Sequence, residues 1–141
     1  MTVSRLFPWG LGCLLLLTAP FLTAAPEGIL ARGVFQQKSK RLEGSFTIRQ
    51  SNGKRVLVFD ENFAAKAGPD LQVILSPLSL DEANGKNAAG TGSVSLAPLK
   101  RTSGGQSYDL PADLDLAEFR SVLIHCVKYA VLWGGAPLGY P

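Results

Sequence analysis

Beyond residue 25 no run of apolar residues keeps helical spacing. Short runs rich in β-branched and aromatic residues alternate with Gly, Pro, Asn and Ser at turn positions. That punctuation predicts an all-β fold, a small antiparallel sandwich or barrel-like domain with at most one short helical turn. The sharpest local signal is "LEGSFTIRQSNGKRVLVFD" over residues 42–60. Phe46 and Ile48 share one face of an extended run, and Thr47 and Arg49 share the other. Asn52-Gly53 then supplies two positions that tolerate positive φ, so the segment predicts a β-hairpin.

The remaining strands are weaker readings. Residues 33–37 predict a first short strand, and Phe63 an anchor into the core. "LQVILS" (71–76) is apolar enough to be central, and Pro77 ends its ladder. Residues 80–92 predict a long, mobile, polar loop. Pro98 makes 93–101 an edge strand. A short strand runs through Tyr108 and Leu110. "ADLDLAEF" (112–119) is the one candidate helical turn, capped by Asp113 or Asp115, with Leu114, Leu116 and Phe119 facing inward. The most apolar segment, 121–133, predicts one closing strand covered on both faces. Val122, Ile124 and Cys126 then face one way, and Leu123, His125, Val127, Tyr129, Val131 and Trp133 the other.

The first 25 residues, "MTVSRLFPWGLGCLLLLTAPFLTAA", place one early cation before a short apolar core and small residues. That order predicts a signal peptide, and the apolar run is short for a span of about 20 residues. The mature chain, 26–141, is then an exported single domain, periplasmic or extracellular, with no membrane span after cleavage. Its length suffices for one core without disulfides. The full chain carries a net charge of +3 and a local "KSKR" run at 38–41. Without a broad basic field and interleaved aromatics this excludes nucleic acid as the expected partner.

The chain has two cysteines and one histidine. Loss of Cys13 with the signal peptide leaves Cys126 alone, unable to form an internal disulfide. Two readings of Cys126 stay open. One is a redox thiol, with Lys128 two residues on, on the same face of an ideal strand, favouring the thiolate. The other is a buried cysteine packing as a small hydrophobe. Neighbouring strand residues point to opposite faces, so His125 and Cys126 form neither a catalytic dyad nor a two-ligand clamp on one iron. Copper and zinc sites need more His and Cys than remain. No phosphate loop, acid pair or nucleophile elbow appears, so no catalytic residue and no metal ligand are assigned.

Several short motifs together resemble one family. Gly68, Pro69 and Asp70 form a Gly-Pro-Asp signature. Gly104, Gln106, Tyr108 and Pro111 form a Gly-x-Gln-x-Tyr-x-x-Pro signature, and "GGAPL" closes the domain at 134–138. In this combination, residues 33–138 resemble the DM13 domain, a β-rich module of secreted and cell-surface proteins. The resemblance implies a redox or electron-transfer accessory role centred on Cys126, acting as a bare thiol or as the ligand of a group such as non-covalent haem. His125 and Lys128 are the weaker site candidates, and the motif residues are expected to be structural. Any redox partner is a separate protein, or a second copy joined through Cys126. The reading from a different class is a non-catalytic structural or ligand-binding sandwich.

Overall fold

The computed structural model describes Gly10, Pro20 and residues 27–141. The other residues of 1–26, Cys13 included, lie outside the described residues, and so does most of the segment expected to be a signal peptide. In chain order the strands are β1 (Gly28–Val34), β2 (Gln36–Gln37), β3 (Leu42–Glu43), β4 (Ser45–Ser51), β5 (Lys54–Phe59), β6 (Ala64–Ala65), β7 (Leu71–Ser76), β8 (Val94–Pro98), β9 (Gln106–Leu110), β10 (Ser121–Cys126) and β11 (Val131–Pro137). One sheet has the order β1-β4-β5-β9 and the other β2-β11-β10-β7-β8, while β3 and β6 pair separately. Every pairing is antiparallel. The fold is all-β, a sandwich of two sheets with a small β3/β6 ribbon.

The alternation seen in the sequence fills the space between the sheets. Phe46, Ile48, Leu57 and Phe59 come from one sheet, and Val73, Leu75, Val122 and Ile124 from the other; all are buried in one cluster. Phe35, Phe59 and Phe63 meet with ring centroids 4.7–5.4 Å apart, in edge-on or tilted arrangements that suit aromatic quadrupoles. Phe63 is thus the anchor its sequence position predicts. The 42–60 hairpin also forms, closing through Asn52 (φ 51°) and Gly53 (φ 76°), with Ser51 opposite Lys54. Asp115 caps the single 3₁₀ turn, Leu116–Glu118, by accepting from the Ala117 amide at 3.0 Å.

Three expectations need correction. The first strand is two strands: β1 joins one sheet and β2 the other, because the chain changes sheet at buried Phe35, whose amide donates to the Gly44 carbonyl at 2.8 Å. The closing strand over 121–133 is a hairpin, β10–β11, turning through 127–130. No Gly, Asn or Pro marks that turn; Ala130 takes φ 50° instead. Trp133 therefore joins the core on the Cys126 side, and Leu132 packs on the opposite side with Leu123. The expected mobile loop is a packed cover: Leu80, Ala83 and Ala88 bury against Ile74, Leu123 and Leu132 on the outer face of the second sheet. Lys38 of the basic run holds this cover through the carbonyls of Leu80 and Ala83, the latter at 2.7 Å. With that cover, β10 is buried at every residue.

Candidate functional site

Strand polarity defines two ends of the sandwich. At one end lie Phe59, Gln106, Leu71, Cys126 and Val131, paired or adjacent across the ladders. Cys126, last residue of β10, has 0 % exposure and faces the core with Val122 and Ile124. Its Sγ donates to the Pro69 carbonyl at 3.1 Å. The turn that supplies this carbonyl, Gly68, Pro69 and Asp70, is itself exposed. One turn of chain therefore roofs the thiol.

The motif residues hold that roof in place. A Cβ on Gly68 would come within 2.6 Å of the Trp133 ring, so only glycine lets the turn lie on the indole. Trp133 Nε1 donates to the Lys66 carbonyl at 2.7 Å, fixing the ring beneath the segment. Asp70 takes φ 51°, which an Asp tolerates better than most side chains. Its carbonyl accepts from the Val127 amide at 3.1 Å, and its Oδ1 accepts from Gln72 Nε2 at 3.0 Å. The turn is thus tied to the first residue after Cys126. Trp133 has no place in the sequence-based site; its adjacency to Gly134 and Gly135 was the only local hint.

The second signature ties down a neighbouring segment. Tyr108 Oη accepts from the Lys100 amide at 2.9 Å and donates to Gln106 Oε1 at 2.5 Å. Gln106 bonds both backbone groups of Arg101, accepting at 3.2 Å and donating at 2.9 Å, as a strand partner would. Gly104 takes φ 86° at the turn. Burial pushes the Tyr108 phenol up, opposed by the Lys100 amide and the Arg101 charge. Pro111 lies at the other end, its carbonyl accepting from Arg55 at 3.1 Å. An open cleft of about 540 Å³ separates the roof from the tied segment and is lined by Gly68, Asp70, Leu71 and residues 98–103.

His125 and Cys126 are not brought together. His125 alternates to the outer face with Leu123 and is 3 % exposed. Its Nδ1 has no hydrogen-bond partner. Burial lowers its pKa, and a backbone hydrogen bond with Val131 opposes this. Lys128 stands in the 127–130 turn rather than on a strand, its Nζ 5.4 Å from the Tyr129 ring centroid. The same-face argument that linked it to Cys126 therefore fails.

These residues do not fit haem. The only sulfur donor among the described residues is roofed and already hydrogen-bonded, and the imidazole lies across the sheet. The adjoining cleft has no soft donor in its lining. Among the described residues, no three His, Cys, Asp or Glu side chains gather as a metal site, and no helix is long and apolar enough to cross a membrane. The arrangement keeps one buried thiol bonded to an exposed motif turn.

A family model described as electron transfer DM13 matches residues 34–138. No curated protein and no solved structure matched the chain.

Proposed function

The chain belongs to the DM13 family, and from that membership we propose that it is an exported, non-enzymatic redox module whose working group is the Cys126 thiol. The family description supports a redox-related role. The observation that carries the residue assignment is the 3.1 Å bond from Cys126 Sγ to Pro69, a carbonyl on an exposed motif turn. Opening that turn exposes the thiol without unfolding the sheets, and such local openings cost less than global unfolding.

A single thiol among the described residues restricts the chemistry to a partner. Cys126 loses its proton to solvent, and its thiolate attacks one sulfur of a partner disulfide. A new S–S bond forms, the partner's S–S bond breaks, and the second partner sulfur leaves as a thiolate. The partner is a separate protein or a second copy already held in a disulfide. The compartment is periplasmic or extracellular, after loss of residues 1–25.

Oxidised glutathione tests this on the mature chain. The expected result is a mixed disulfide at Cys126 under native conditions, absent in Cys126→Ser. Modification only in denaturant would overturn it. That outcome fits the second reading, a structural or binding sandwich with a packed cysteine, which the 0 % exposure of Cys126 favours.

A further inference from the structure

One end of the sandwich gathers a cluster of exposed cations. Around the thiol end stand Lys40, Arg41, Lys66, Lys100, Arg101 and Lys128, all exposed, and they outnumber the exposed acids there, Glu43, Glu61 and Asp70. Backbone bonds place these cations together. The Lys66 amide donates to the Arg41 carbonyl, the Ala65 amide to Thr102, and the Lys40 amide to Trp133. Only Arg41 of the six has an ion-pair partner among the described residues, Glu43 at 3.1 Å. Lys100 and Arg101 also flank the 540 Å³ cleft. The opposite end mixes signs, with Asp113, Asp115 and Glu118 around the 3₁₀ turn and Lys54 and Arg55 beside it.

Within the basic end the 127–130 turn projects. Val127 is 45 % exposed and Tyr129 63 %. Val127 follows Cys126 directly and is bonded to the Asp70 carbonyl. An apolar centre with a charged rim is the anatomy of a protein interface, and tyrosine is enriched there. A polysaccharide or nucleic acid backbone needs the cations but has less use for the apolar tip.

We propose that this end is the docking face for an acidic protein surface, with Val127 and Tyr129 at its centre and Lys66, Lys100, Arg101 and Lys128 around them. The proposal rests on the redox reading only for what the docked protein then does. The excess of cations at the thiol end speeds encounter with an acidic partner. Docking there puts the partner against the roof of Cys126.

Binding of the mature chain to immobilised poly(Glu,Tyr), poly-Glu and heparin tests it. The account expects tighter binding to poly(Glu,Tyr) than to poly-Glu or heparin, weakening as salt rises. The double variant Lys66→Glu with Lys128→Glu loses about tenfold or more. An equal charge change on the exposed residues Arg49→Glu and Lys54→Glu, with comparable melting temperatures, stays within about twofold. Tyr129→Ser removes the advantage of poly(Glu,Tyr). Equal loss from both double variants, no binding, or tighter binding to heparin would overturn the proposal. Cys126→Ala is expected to bind as wild type, so a silent thiol with intact docking sinks only the redox reading.

Discussion

The Cys126 sulfur and the Pro69 carbonyl meet at 3.1 Å although 57 positions separate them in the chain. That contact joins the last residue of β10 to the turn before β7, and its strength is set by how well the turn is held. Trp133 below and Val127 beside it are the holders.

Gly68→Ala tests the roof. The added methyl would stand 2.6 Å from Trp133 Cζ2, so the turn or the indole must move. A destabilisation of about 1–3 kcal/mol is expected, as for other overpacked sites. Cys126 should also label faster in the folded protein. A urea midpoint and a thiol-labelling rate read the two effects separately; an unchanged labelling rate would mean that the turn is not the barrier.

Tyr108→Phe removes one hydroxyl and leaves the Lys100 amide without its partner. Gln106 keeps both bonds to Arg101, so the 98–103 segment should loosen rather than detach. The expected cost is about 1–2 kcal/mol. Hydrogen exchange at the Lys100 amide should speed up more than exchange in β10, where the sheet is untouched.

His125 predicts a pH dependence. Burial lowers its pKa in the folded protein, so below the unfolded value of about 6.5 the unfolded chain binds more protons. Stability therefore falls as pH drops through that value, and levels off below the folded pKa. In His125→Leu this part of the dependence should vanish. Urea midpoints of both proteins between about pH 5.5 and 7.5, above most carboxylate titration, give the comparison. Parallel curves would show that the imidazole does not contribute.

Much of the sandwich was legible because its signals are local. The β4–β5 hairpin carries alternation and an Asn-Gly turn within one short stretch. The β10–β11 hairpin was not, because Val127, Lys128, Tyr129 and Ala130 turn without a turn residue, held by one long-range bond from the Val127 amide to the Asp70 carbonyl. The 80–92 cover misled through composition. Its three buried side chains are two alanines and one leucine, too few to register as a hydrophobic pattern. At the site, cysteine arithmetic singled out Cys126, and the motifs singled out Gly68, Pro69 and Asp70. That they touch is a long-range fact, which no spacing rule contains. Lys128 shows the opposite failure, a sound rule applied to a strand that had already ended.

The most direct measurement is the labelling rate of Cys126 by a small thiol probe in the mature protein as urea is raised from zero. A thiol freed by lifting one turn reacts through a local opening. Its rate should stay nearly flat at low urea and rise only near the global transition. If instead the rate climbs from the first addition of urea with the full slope of global unfolding, Cys126 is released only when the sandwich comes apart, and it is a packing residue rather than a working thiol.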